Sequence, residues 1–209
     1  RDLLKEYRRQ RQMCIRDRRQ QTLADDTPVA ILDFGTNTTR LLITNGTSVE
    51  IRTHRVTGLG RGLGETGRLS EEGIGRVLDA VDEFKSLISE NGAQRIRAVA
   101  TSAARDAVNR ADLFEPVSAA LNHELELLSG EEEARYGFLG ATAGLPSTDG
   151  PFLVIDIGGG STEFSFGTQT AEIHRSVDMG SVRFMEQFFI NDPPTVSYTH
   201  LTLPTILLV

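Results

Sequence analysis

Two short segments carry residue types at spacings that could do chemistry. Residues 31–41 read ILDFGTNTTRL and residues 154–164 read VIDIGGGSTEF. A shift of 123 positions lays Ile31-Leu32-Asp33 on Val154-Ile155-Asp156, Gly35 on Gly158, Thr38 on Ser161 and Thr39 on Thr162. Each segment is an apolar run followed by Asp-x-Gly-x-x-[Ser/Thr]-Thr. Glycine permits positive φ and close backbone approach, so successive N–H groups can line one concavity and hold an anion. Hydroxyls add donors, and an aspartate at a strand end is a hard oxygen ligand suited to Mg2+ that keeps several waters. One such loop is more often a structural turn. Two copies, each after an apolar strand, point to a phosphate chain held from both sides. Neither loop contains Gly-Lys-[Ser/Thr], so neither is a P-loop.

Loops of this kind need strands to aim them. Pro28–Asp33 is an apolar run that reads as a buried strand. Arg40–Ile43 and Ser48–Thr53 flank Asn45-Gly46, a hairpin turn signal. Gly58–Gly67 is glycine-rich and reads as a loop. Ser70 reads as an N-cap, and Ile74, Val77, Leu78, Val81, Phe84, Leu87 and Ile88 form one helical stripe that ends at Asn91-Gly92. Arg95–Ala100 follows as a strand. Ser102 caps a short helix to Val108, and Asn109 caps a second to about His123. Glu124–Leu128 alternates as a strand, and Ser129-Gly130-Glu131-Glu132 has capping-box form, starting a helix to about Ala143. Phe152–Ile157 reads as a buried strand, Thr162–Phe166 and Ala171–Val177 as two more, and Asp178–Ser181 starts a last helix to about Phe189. Hairpins alternating with helices predict an α/β protein with mixed sheets.

Composition narrows the classes. Charged residues are 24% and hydrophobic residues 39% of 209, enough for a packed core. No apolar run reaches the ~20 residues of a membrane helix, and one cysteine excludes an internal disulfide framework. A formal net charge of -7 argues against nucleic acid as a partner. That total hides a basic start, with eight Lys/Arg against three Asp/Glu in residues 1–19 and an uncharged stretch in 196–209. The two ends share an unusual relation. Residues 5–17 can be back-translated so that their reverse complement encodes 196–208, each pair of positions summing to 213. Selection on side chains does not produce codon-level palindromy, so both ends read as translated sequencing adaptor, and the natural segment as roughly 20–195.

The phrases TGLGRGLGETGRLSEEG, VATSAARDAVN, LLSGEEEARYGFLGA, FLVIDIGGGSTEF and VDMGSVRF, in this order, resemble the exopolyphosphatase/guanosine-pentaphosphate phosphohydrolase (Ppx/GppA) family. The pair of loops resembles the wider actin/Hsp70/sugar-kinase superfamily. The resemblance implies a ribonuclease-H-like, actin-like ATPase fold with two lobes and mixed sheets. The first lobe would be 20–123 and the start of a truncated second lobe 124–195. It implies that Glu133 is the catalytic glutamate, whereas Glu131 and Glu132 suit the helix dipole. Asp156 and Glu163 would be metal-associated acids, with Asp33 as the first lobe's counterpart and Mg2+ as cofactor. Gly35, Thr36, Asn37 and Thr38 would cradle phosphate from one side, and Gly158, Gly159, Gly160, Ser161 and Thr162 from the other. Arg105 would contact phosphate, while Arg40 reads as structural.

The implied activity is release of terminal phosphate from inorganic polyphosphate or guanosine pentaphosphate. The setting would be cytoplasmic, without nucleic-acid or membrane partners, and a homodimer is conceivable at full length. A kinase or ATPase of the same superfamily, a non-catalytic polyphosphate or alarmone binder, and an inactive fragment stay open as alternatives.

Overall fold

The computed structural model describes residues 27–46 and 48–189; the adaptor-like ends lie outside this range. β1 (Val29–Phe34), β2 (Thr38–Thr44) and β3 (Val49–Val56) form an antiparallel meander. β4 (Arg95–Ala100) joins the free side of β1 in parallel and β5 (Leu125–Leu127) joins β4, giving the order β3-β2-β1-β4-β5. Between β3 and β5 lie α1 (Leu63–Thr66), α2 (Glu71–Glu90), α3 (Ser102–Asp106) and α4 (Ala111–Leu121). α5 (Gly130–Thr142) then leads to a second, antiparallel sheet of β6 (Phe152–Ile157), β7 (Thr162–Gly167) and β8 (Ala171–Val177), followed by α6 (Ser181–Phe188). No helix among the described residues is long and apolar enough to cross a membrane.

The core sits on one face of the first sheet. Ala30, Leu32, Phe34, Leu41 and Ile43 are buried there with Val77, Val81 and Phe84 of α2 and Leu113 and Val117 of α4. α2 forms as its pattern predicts. Ser70 Oγ accepts from Gly73 N at 3.1 Å, and the apolar stripe faces inward. Burial of each large apolar side chain contributes ~1.5–3 kcal/mol, more than helix propensity supplies.

The repeat in sequence is a repeat in structure. β6 is β1 displaced by 123 positions, and the antiparallel pairing recurs, with Asp33 opposite Arg40 and Asp156 opposite Glu163. Even the irregularity in register recurs at that offset, between Ile43/Thr44 and Phe166/Gly167.

Four expectations need correction. β5, expected to open the second lobe, is the edge strand of the first sheet, because its parallel pairing with β4 is set by a partner a helix-pair away in sequence. The glycine-rich 58–67 stretch is not all loop: α1 sits inside it, bracketed by Gly62 and Gly67 in the left-handed region at φ 72° and 65°. Asn109 does not cap α4. Its Oδ1 accepts from Leu69 N (2.8 Å) and its Nδ2 donates to Leu69 O (3.1 Å), clamping a segment 40 residues away. Finally, β6 is not buried. Ile157 is 72% exposed where the equivalent Phe34 is 0%, and Leu153, Ile155, Phe164 and Phe166 share its exposed face; α5 packs on the other face.

Candidate active site

The two loops are built alike from the backbone up. Gly35 N donates to Thr38 O at 3.0 Å, and Gly158 N donates to Ser161 O at 2.9 Å, closing the same tight hairpin. In the first loop Thr36 O accepts from Gly60 N, and Asn37 O accepts from Thr57 N and Gly58 N. In the second, Gly158 O and Gly159 O accept from the first amides of α6 (Ser181, Val182 and Arg183), and Gly160 O accepts from Arg183 Nε at 2.8 Å. A trans peptide points its N–H opposite its C=O. The N–H groups of Asn37 and Thr38, and of Gly159, Gly160 and Ser161, therefore point away from these partners. All five residues line one cleft of about 370 Å³.

The loop glycines serve close approach rather than unusual torsions. Gly35, Gly158, Gly159 and Gly160 are not among the described glycines with positive φ. A Cβ on Gly160 would lie 2.4 Å from Ser102 Oγ and 2.8 Å from Thr36 Oγ1; one on Gly159 would lie 3.0 Å from Thr36 Cβ. The two loops thus touch at Thr36, with Ser102 of α3 wedged beside them.

Of the residues singled out in the sequence, all line the cleft except Thr162 and Arg105. Thr162 Oγ1 donates instead to Met179 O, fixing the segment before α6. Arg105 Nη1 donates to Glu133 Oε2 at 2.7 Å and to Leu128 O at 3.0 Å. The arginine expected on phosphate is therefore engaged with Glu133, an ion pair that the sequence could not display because 28 positions separate the partners. Arg40, read as structural, lines the cleft and lies 3.5 Å from Asp33.

Glu133 stands on the first turn of α5, whose start is fixed by a complete capping box. Ser129 Oγ accepts from Glu132 N, and Glu132 Oε2 accepts from Ser129 N at 2.9 Å. Burial pushes the Glu133 carboxyl above its ordinary pKa; the Arg105 hydrogen bond opposes this, and the charges of Glu163 and Asp33 add to the rise. Burial likewise raises Asp33, against the pull of Arg40 and with added repulsion from Asp156. Glu163 is buried and accepts from Ser176 Oγ at 2.8 Å. Gly137 of α5 faces Asp156, its Cβ position lying 3.8 Å from Oδ2.

Four carboxylates on one cleft raise the question of a cation. Among the described residues no group of three or more His, Cys, Asp or Glu is close enough to cage a metal. Mg2+ does not need a cage, since it binds through one or two carboxylates, waters and substrate phosphates. Asp33 Oδ1 is buried without a hydrogen-bond partner, and Asp156 repels the same carboxylate. An orphaned hard oxygen beside a like charge fits such an ion. Ser102, Ser176, Tyr136 and Arg183 complete the surroundings. Of these, Ser102 is marked in the sequence as a helix cap, but it is the first residue of α3, with Thr101 at the cap position and no side-chain capping bond.

The model of the Ppx/GppA phosphatase family matches residues 43–200, which include Glu133 and the second loop. Exopolyphosphatase 2 of Mycobacterium tuberculosis is 40% identical over 183 residues, covering 81% of this chain and 57% of that protein. The guanosine-5'-triphosphate,3'-diphosphate pyrophosphatase of Pseudoalteromonas atlantica is 37% identical over 169 residues, covering 78% and 33%. The solved exopolyphosphatase from Cytophaga hutchinsonii superposes with a TM-score of 0.77 at 29% identity, covering 84% of this chain and 58% of that one. The chain spans 57% and 33% of the two curated relatives' lengths. Fold, loops and relatives agree: the first sheet has the mixed β3-β2-β1-β4-β5 order of a ribonuclease-H-like architecture, and the chain belongs to the Ppx/GppA phosphatase family.

Proposed function

We propose that this protein hydrolyses a terminal phosphoanhydride, releasing orthophosphate from inorganic polyphosphate or guanosine pentaphosphate. The observation that carries the reading is the pair of matched loops, each with its carbonyls drawn off to neighbouring segments and its N–H groups turned the other way, with Glu133 on the same cleft. Phosphate oxygens accept from Asn37, Thr38, Gly159, Gly160 and Ser161 N–H, with the Thr36 and Ser161 hydroxyls beside them. This holds the reacting phosphoryl group between two rigid supports. Glu133, with its raised proton affinity, orients the attacking water and accepts its proton. Arg105 fixes the carboxylate's direction. Asp33, Asp156 and Glu163 are the residues that would hold Mg2+, which when bound neutralises charge on the phosphate oxygens. Names of relatives support both substrates, one in each branch.

The test is phosphate release with Mg2+ from long-chain polyphosphate, guanosine pentaphosphate and ATP, each supplied alone. Release from either of the first two without nucleotide as co-substrate is expected. Turnover confined to ATP, or transfer to an acceptor, would replace this reading with a kinase or ATPase. Binding without release would make the protein a sensor.

A further inference from the structure

Arg183, on the first turn of α6, reaches two places that the proposed reaction needs fixed. Its Nε donates to Gly160 O at 2.8 Å, and its Nη2 donates to Asp106 Oδ2 at 2.5 Å. Asp106 ends α3 and is the chain neighbour of Arg105, which holds Glu133. The other end of α3 bears Ser102, packed against Gly160. A single guanidinium therefore spans the second loop and the short helix that carries the glutamate's partner. One turn further along α6, Glu186 Oε1 accepts from Gly62 N at 2.8 Å, fastening α6 to the first lobe across 124 positions.

Three consecutive glycines have no side chains to restrain them, and glycine has the most backbone freedom to lose on ordering. Gly158 and Gly159 carbonyls are held by main-chain amides of α6, whereas the Gly160 carbonyl is held by a side chain that also grips the first lobe. An arginine's planar fork suits two acceptors at once, where lysine is a single point charge.

We propose that Arg183 is a positioning residue that sets the second phosphate loop and the Arg105–Glu133 pair relative to each other. It rests on the phosphohydrolase reading, and two readouts separate their failures. The first is hydrogen exchange at the amides of Gly158, Ser181 and Val182, whose bonds to Ser161 O, Gly158 O and Gly159 O hold the loop, and it needs no turnover. The second is kcat and KM for phosphate release from polyphosphate. Arg183→Met is expected to speed exchange at these amides about tenfold and to lower kcat about tenfold, with KM changed less than kcat. Arg183→Lys, which preserves charge and fold, should fall between the two, since it satisfies one acceptor. Asp106→Asn added to Arg183→Met should cost nothing further, because the contact is already gone. A merely structural role predicts lower thermal stability in all variants with kcat per folded molecule unchanged. Exchange or kcat within twofold of wild type in Arg183→Met overturns the proposal. If the wild-type protein releases no phosphate, the phosphohydrolase reading fails, and exchange alone decides whether Arg183 restrains the loop.

Discussion

Gly160→Ala isolates what the loop contact is worth. The residue's φ is not in the left-handed region, so alanine is conformationally permitted and the effect is steric. The new Cβ would lie 2.4 Å from Ser102 Oγ, where ordinary contacts begin at 3.4 Å. Rotation of the Ser102 hydroxyl gives partial relief, but Ser102 Cβ at 3.1 Å and Thr36 Oγ1 at 2.8 Å remain too close. The loop must retreat by about 1 Å, and a displacement of that size at a positioning element costs about 100-fold in rate, or ~2.7 kcal/mol in the barrier. The assay is kcat/KM for phosphate release from polyphosphate with Mg2+, beside thermal melting to count folded protein. Ser102→Gly in the Gly160→Ala background removes two of the three clashes and should recover about tenfold. Gly140→Ala is the control: nothing lies within 4 Å of its Cβ on α5, and activity should hold. Gly160→Ala within threefold of wild type would refute the claim that these glycines exist for close approach.

Two further expectations concern stability. Asp33 has a folded pKa above its unfolded one, so its contribution to stability is fully present below the ordinary carboxylate pKa and is lost as pH rises through the elevated value. Asp33→Asn removes the partly buried charge that burial and Asp156 disfavour, so in chelator it should melt above wild type near pH 8. The gain should vanish toward pH 4; a pH-independent difference would contradict it. Ser129→Ala deletes the capping hydroxyl of α5 and should cost ~1 kcal/mol, lowering the melting temperature by about 2–4 °C; no shift by calorimetry would deny the cap its role.

What could be read from the sequence was local or repeated. The N-cap and apolar stripe of α2 and the capping box of α5 depend on neighbours three or four positions apart, and both helices start where those signals put them. The two loops were legible because the phrase is written twice, and one copy lends weight to the other. The illegible parts rest on partners far along the chain. β5 is three residues whose place is decided by β4. Asn109 looks like a cap until Leu69 is found beside it. Arg105 carries the right charge for phosphate, and only the fold reveals Glu133 at its tip. The apolar run of β6 predicts a buried strand, but burial of that face also needs a covering layer, which α2 and α4 supply to the first sheet.

The central claim is that Glu133 directs water onto a phosphate held by both loops. Glu133→Gln keeps size and can still accept from Arg105, but cannot take a proton. The direct measurement is phosphate release from polyphosphate by this variant, with polyphosphate affinity determined in parallel. The account predicts loss of release by about 100-fold or more with affinity within threefold of wild type. Retained turnover would contradict it.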